Sequence, residues 1–215
     1  MKKTLSVLAA VTFALGAIGA TPALATGSSK LASNVLNQLA VKGRAPKTGY
    51  SRDLFSSGWG RINGCDTRNF ILARDLTKIT YTTGCTVNTG LLNDPYTRKS
   101  ISFHRGVGSS LAVQIDHVVA ISDAWQKGAQ KLTSTARYSL YNDPLNLLAV
   151  DGPTNQQKSD SDAASWLPPN KSFRCSYVSR QIAVKMKYHL WVTGAEKAAM
   201  QGVLSKCPNQ RVPLK

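Results

Sequence analysis

Residues 111–119 read LAVQIDHVV, a run of apolar and β-branched residues interrupted by Gln114 and by the adjacent pair Asp116 and His117. Such a run predicts a buried strand. Burying an acid beside an ionisable base costs folding free energy, which indicates that the pair has a function. Neighbouring residues of a strand point to opposite faces of the sheet. The side chains of Asp116 and His117 can therefore reach one site only where the strand ends or bends and where both contact a common ligand such as a metal ion.

The segments that follow this strand predict two helices, over residues 122–130 and 133–141, then a strand at 146–150 and a helix at 153–158 opened by Pro153. Elsewhere the spacing predicts more helices and several short strands. The helices are expected over residues 30–42, 176–190 and 193–205, and the strands over 70–72, 79–81, 85–87 and 101–103. This mixture indicates an α+β fold.

The polar residues of this central region suit phosphodiester hydrolysis. His117 is a candidate general base, because its unperturbed pKa lies near neutrality. Asp116 and Asn155 offer hard oxygen ligands for Mg²⁺, Mn²⁺ or Ca²⁺, with water and substrate phosphate completing the coordination. Lys158 follows Asn155 by one helical turn, so it can share the same face and meet a phosphate.

The order Asp116-His117, Asn146, Asn155 and Lys158 resembles the HNH endonucleases of the ββα-metal class. In that family a histidine usually stands nine positions after the first asparagine, where this chain has Asn155. The same departure occurs in the HNH domain of the RNA-guided CRISPR nucleases. It argues against a nitrogen-rich, zinc-type site.

Longer segments between residues 50 and 207 resemble one branch, the secreted actinobacterial HNH proteins related to the C-terminal domain of the GmrSD restriction endonucleases. The resemblance implies a ββα-metal core with additional helices and short strands. It implies that His117 is the general base, that Asp116 and Asn155 bind the metal, and that Asn146 holds the loop and orients the base. The segments are CDTRN (65–69), DPY (94–96), DHVV (116–119), AWQKGA (124–129), NDPLNL (142–147), NQQKSD (155–160) and WLPP (166–169).

Each candidate also has a structural reading. His117 alone would be read as a hydrogen-bonded core histidine, Asn146 as a turn residue and Asn155 as part of a solvated helix face. Lysine on a helix is by default a surface residue, which applies to Lys158. Arg68 belongs to an alternating acid–base cluster with Asp66, Arg74 and Asp75. That cluster favours a salt-bridge network supporting the site, and Arg68 is its best candidate for a phosphate contact.

The N-terminus has the layout of a secretory signal peptide, with Lys2 and Lys3, an apolar stretch over residues 4–20 and the cleavage site Ala23-Leu24-Ala25. A membrane anchor is the alternative, and the cleavage site favours removal. We therefore expect a secreted protein without stable membrane insertion. The expected organisation is a signal peptide at 1–25, an N-terminal helix and linker at 26–49 and an HNH nuclease domain at 50–215.

The four cysteines indicate two disulfides, because an even number in an exported chain is typical of cross-linked domains. Three pairings exist, and pairing within each half of the chain joins Cys65 to Cys85 and Cys175 to Cys207. A four-cysteine zinc site is disfavoured, since the chain has no C-x-x-C spacing.

The formal net charge of +16 predicts attraction to polyanions. Together these features predict a secreted endonuclease that acts on DNA, with RNA as the alternative, through the phosphate backbone and with little sequence specificity. The expected cofactor is Mg²⁺, with Mn²⁺ as the alternative, and we expect a monomer. The rival hypotheses are a non-enzymatic polyanion-binding protein and an antibacterial toxin with the same chemistry.

Overall fold

The computed structural model describes Met1 and residues 29–214, so the predicted signal peptide lies outside the described residues apart from Met1. The helices and strands alternate irregularly, which confirms the α+β class. The helices are α1 Ala32–Gln38, α2 Thr67–Asp75, α3 Ile121–Gln126, α4 Ser134–Asn142, α5 Gly152–Lys158, α6 Arg174–Lys187 and α7 Gly194–Leu204. The strands are β1 Arg61–Ile62, β2 Cys65–Asp66, β3 Thr77–Tyr81, β4 Val87–Asn93, β5 Ser100–His104, β6 Val113–His117 and β7 Leu147–Asp151.

A ββα unit lies at the centre of the domain. Strands β6 and β7 form an antiparallel pair, with Asp116 opposite Leu148 and His117 opposite Leu147. Helix α5 follows β7 without a connecting loop and packs against both strands. Gly152 permits this approach, because a Cβ there would collide with the carbonyl oxygen of Leu111.

The two faces of β7 pack against different layers, which explains why its residues are apolar without alternation. Leu147 and Ala149 join a core with side chains of α2 and the three-stranded antiparallel sheet β3-β4-β5. Leu148 and Val150 join a second core with α1, α6 and α7. The ββα unit is therefore held between a sheet layer and a helical layer.

Both predicted disulfides are confirmed, Cys65–Cys85 and Cys175–Cys207. The predicted strand at residues 70–72 is wrong, because these residues belong to α2. Asp66 caps that helix by accepting a hydrogen bond from the Asn69 N–H, and Ile71 and Leu72 are fully buried on one helical face. None of the helices in the described residues is long and apolar enough to cross a membrane.

Beside the ββα unit lies a group of ion pairs that we call the ionic cluster. The Lys127 side chain is fully buried. Its Nζ atom lies 2.7 Å from a carboxylate oxygen of Asp123, 2.6 Å from one of Asp162 and 2.7 Å from one of Glu196. A second buried lysine and a partly exposed arginine complete the cluster. Three cations thus face three carboxylates, and the cluster joins α3, α6 and α7 to residues outside these helices. The members are Lys127, Lys185, Arg44, Asp123, Asp162 and Glu196.

Candidate active site

A cleft of about 420 Å³ opens beside the end of β6. Three of the predicted site residues line it, Asp116, His117 and Asn155, together with Arg52 and Gln114. Of the residues that the structure describes, Asn146, Lys158 and Arg68 do not line this cleft. The structure therefore brings together the predicted base and the predicted metal ligands, and places the other three candidates around them.

The hydrogen bonds of His117 define its tautomer. The Nε2 atom lies 2.8 Å from the carbonyl oxygen of Tyr141, and because a carbonyl can only accept, Nε2 must carry the proton and donate it. The Nδ1 atom lies 3.5 Å from a guanidinium nitrogen of Arg52, which can only donate. The lone pair of the imidazole is therefore on Nδ1, the atom that a general base would use.

Aromatic rings hold the imidazole of His117 in place. Trp59 stacks on it with ring centroids 5.7 Å apart and planes 10° from parallel, and the ring centroid of Tyr141 lies 4.6 Å away. Burial and the positive charges of Arg52 and Lys158 lower the pKa of His117 to about 3. The imidazole is therefore neutral at physiological pH, which is the state that accepts a proton.

Asn146 fastens the segment that follows His117. Its Oδ1 accepts a hydrogen bond of 2.8 Å from the Val119 N–H, and its Nδ2 donates one of 3.2 Å to the Val119 carbonyl. Its own backbone carbonyl accepts from the Val118 N–H at 2.8 Å. Because Asn146 is fully buried and makes these bonds, its geometry supports the structural role that the resemblance implies.

Asp116 has a partner on each carboxylate oxygen. Oδ1 lies 2.9 Å from Nζ of Lys158, and Oδ2 accepts a hydrogen bond of 2.5 Å from the Tyr96 hydroxyl. The Lys158 ammonium also donates to the carbonyl of His117 at 2.9 Å, and the side chain is fully buried. This placement argues against the predicted contact between Lys158 and a phosphate. Lys158 instead neutralises Asp116 and supports the backbone of the base.

Asn155 lines the same cleft as Asp116 and has an available oxygen. Its Nδ2 donates to Oε1 of Gln114 at 2.9 Å, and within the described part of the chain its Oδ1 has no hydrogen-bond donor. The oxygens of Asp116 each accept one hydrogen bond and keep a further lone pair. These hard oxygens fit a hydrated Mg²⁺ ion that has few protein ligands. In the described residues, no three His, Cys, Asp or Glu side chains converge as a metal site.

Arg68 lies outside the cleft and braces the start of β6. Its guanidinium donates to the carbonyls of Ser110 and Val113, at 3.3 and 3.2 Å. Burial lowers the pKa of Arg68, and the nearby charge of Arg105 acts in the same direction. The predicted phosphate contact of Arg68 has no support from this geometry, because the guanidinium is engaged with backbone carbonyls.

Two other members of the predicted acid–base cluster support β7. Arg74 pairs with Asp75 at 2.6 Å and donates to the carbonyl of Leu147 at 2.7 Å. Asp75 accepts a hydrogen bond from the Ala149 N–H at 2.8 Å. In the described part of the chain no strand pairs with the other edge of β7, and these two residues supply hydrogen bonds there.

Several residues of the site had no signal in the sequence. Arg52 and Trp59 lie more than 55 positions before His117, in a region without a recognisable motif. Tyr96 belongs to the segment DPY that carried the resemblance, but nothing in that segment predicted a hydrogen bond to Asp116. Tyr141 contributes both its ring and its backbone carbonyl, and no local pattern predicted either contact.

Comparison with known proteins places the chain in a family. The family described as the C-terminal domain of GmrSD restriction endonucleases matches residues 66–203. A protein of Arthroderma benhamiae named "Uncharacterized secreted protein" is 38% identical over 183 residues, which cover 84% of this chain and 86% of that protein. No solved structure matches the chain. The match spans the ββα unit and every residue of the site except those before α2, and the chain belongs to the family of the GmrSD restriction endonuclease C-terminal domain.

Proposed function

We propose that this protein is a secreted, metal-dependent endonuclease that hydrolyses phosphodiester bonds in DNA, with RNA as the alternative substrate. One observation carries the proposal. The Nδ1 atom of His117 is an unprotonated base at the wall of a cleft that also contains the oxygens of Asp116 and Asn155. Membership of a nuclease-like family and two disulfides of the kind found outside the cytoplasm support it.

In the proposed reaction, His117 Nδ1 accepts a proton from a water molecule as the water oxygen attacks phosphorus and the bond to the leaving oxygen breaks. The hydrogen bond from Nε2 to the Tyr141 carbonyl stabilises the imidazolium that forms. Asn146 keeps the backbone after His117 in register with β7. A divalent ion held by Asp116 and Asn155 would neutralise phosphate charge and stabilise the leaving oxygen.

Arg52 provides the positive charge nearest the base. Its guanidinium lies at the limit of hydrogen-bond distance from His117, at 3.5 Å, and over the Tyr141 ring at 5.1 Å. A phosphate entering the cleft would compete for the guanidinium with a stronger, charge-assisted hydrogen bond. Arg52 would then hold the phosphate and release Nδ1 for the water.

Metal dependence is tested with supercoiled plasmid DNA and the purified protein. We expect nicking and linearisation with Mg²⁺ or Mn²⁺, no cleavage with EDTA, and recovery of cleavage when Mg²⁺ is added back in excess. The reason is that too few protein groups face the substrate to stabilise the charge of the reacting phosphate without an ion. A parallel arm with folded RNA distinguishes the two substrates. Intact nucleic acid with every divalent metal, together with binding to DNA, would contradict the proposal and support the non-enzymatic polyanion-binding protein.

Replacing Arg52 with glutamine should lower kcat/KM for plasmid cleavage by about 10- to 100-fold, because a hydrogen bond to a charged group contributes about 1.5–3 kcal/mol. Most of the change should lie in KM if Arg52 holds the phosphate in the ground state. The matched control is Arg61→Gln, since Arg61 is an exposed arginine of β1 that does not line the cleft. Equal losses in the two variants would argue against a contact between Arg52 and the substrate.

A further inference from the structure

A second cleft, of about 630 Å³, lies on the other side of helix α5. Pro153, Thr154 and Gln157 of α5 line it, whereas Asn155 and Gln156 face the candidate active site. Three basic residues surround the second cleft, Arg98, Lys99 and Lys171. We call it the basic cleft.

The charges of the basic cleft have no partner in the described part of the chain. Arg98, Lys99 and Lys171 are exposed, and their side chains make no hydrogen bond or ion pair with the residues described. The one acid in the lining, Asp151, is buried, and its Oδ2 caps α5 by accepting from the Thr154 N–H and hydroxyl at 2.9 and 2.5 Å. The cleft therefore presents a net positive surface to solvent.

The backbone that carries these cations is held by hydrogen bonds. Asp94 accepts from the Thr97 N–H and, through its backbone carbonyl, from the Arg98 N–H, at 2.8 and 2.9 Å. On the opposite wall Asn170 donates from Nδ2 to the Pro95 carbonyl at 2.8 Å, next to Lys171. Positive charges on a fixed backbone bind an anion with less loss of conformational entropy than charges on a mobile tail.

One loop connects the two clefts. Tyr96 points inwards and donates to Asp116, while Arg98 and Lys99 of the same loop line the basic cleft. Helix α5 separates the clefts, and a helix with its side chains is about 10–12 Å across. A nucleic acid spans this distance within a few nucleotides, since its phosphates recur every few ångströms along the duplex axis.

We propose that the basic cleft binds the phosphate backbone of the nucleic acid outside the scissile bond. For the identity of its ligand, this inference rests on the proposed function. The basic cleft would contribute binding of the substrate and no chemistry, because its one carboxylate, that of Asp151, is buried and occupied in capping α5.

The test measures DNA binding in EDTA, which separates binding from cleavage. The triple variant Arg98→Gln, Lys99→Gln and Lys171→Gln is compared with the wild-type protein by fluorescence anisotropy, using a labelled duplex of about 30 base pairs over about 50–300 mM KCl. We expect the slope of log K against log salt to become shallower by about 2.7, because each phosphate that the protein no longer neutralises reduces the slope by about 0.9. In plasmid cleavage with Mg²⁺, the same variant should raise KM and leave kcat unchanged.

The matched control is the triple variant Lys78→Gln, Lys131→Gln and Lys206→Gln, which removes three exposed lysines that line neither cleft. Its slope should stay near that of the wild-type protein. Equal slopes for the two triple variants would overturn the proposal. It would also be overturned if the basic-cleft variant bound more weakly to heparin, a polyanion that is not a nucleic acid, while its slope for DNA binding stayed unchanged. If the triple variant does not fold, Lys171→Gln alone should reduce the slope by about 0.9. If the slope changes as expected but the wild-type protein does not cleave plasmid DNA, the proposed nuclease activity is refuted and the proposed binding of nucleic acid by the basic cleft still stands.

Discussion

His117→Ala is expected to lower the rate of DNA cleavage by about 10²- to 10⁴-fold, the usual contribution of a positioned general base. The substitution removes Nδ1, the unprotonated nitrogen at the cleft wall, and leaves water without a proton acceptor there. The loss should appear in kcat, because the imidazole acts on the proton in the transition state. Initial rates of plasmid nicking at saturating Mg²⁺ measure it.

The matched control for this prediction is His104→Ala, since His104 is an exposed histidine of β5 that does not line the cleft. His104→Ala should cleave at the wild-type rate. Binding of DNA in EDTA should be similar for both variants, which separates catalysis from affinity. Cleavage by His117→Ala at the wild-type rate would leave a nuclease whose base lies elsewhere.

Lys127→Met is expected to reduce the free energy of unfolding by about 3–5 kcal/mol, because removing one partner leaves buried carboxylates without compensation. Lys127 contacts three acids of the ionic cluster at 2.6–2.7 Å and is itself fully buried. Methionine fills much of the same volume, so the cavity contribution is small. Urea unfolding followed by tryptophan fluorescence measures the change.

Lys47→Met is the control for Lys127→Met. Lys47 pairs with Asp160 at 3.3 Å, and both side chains are about half exposed, at 53% and 50%. An exposed pair of this kind contributes about 0–1 kcal/mol. A similar loss in both variants would show that the ionic cluster is no more stabilising than a surface ion pair.

The ββα unit was predictable because its sequence pattern is local. The apolar run before His117, the strand after Asn146 and the proline at the start of α5 each occur within a few residues. The predicted helix over residues 193–205 is confirmed as α7 for the same reason, since a local capping box of Thr193 and Glu196 begins it. The run at residues 70–72 was misread, because three apolar residues are too few to distinguish a helical from a strand period.

The surroundings of the base were not predictable, since they depend on contacts between distant parts of the chain. Arg52 and Trp59 reach His117 from a separate segment, and no local pattern distinguishes them from other surface or core residues. Lys158 was predicted to meet a phosphate, with an ordinary surface lysine as the alternative, and only the fold reveals that it is buried against Asp116. The alternating pattern of a strand correctly predicts that Asp116 and His117 have different neighbours, but not which ones.

The disulfide pattern has a consequence for how the chain matures. The first cysteine in the sequence pairs with the second, and the third pairs with the fourth, across separations of 20 and 32 residues. Suppose that the chain enters an oxidising compartment with its N-terminus first. When Cys85 arrives, Cys65 is the one earlier thiol, and when Cys207 arrives, Cys175 is the one earlier thiol that is not yet oxidised. Native pairing then needs no thiol–disulfide exchange, which is the slow step in proteins whose cross-links overlap. The stretch between the two cross-links, with β6, β7 and α5, can change in sequence without disturbing this order of oxidation.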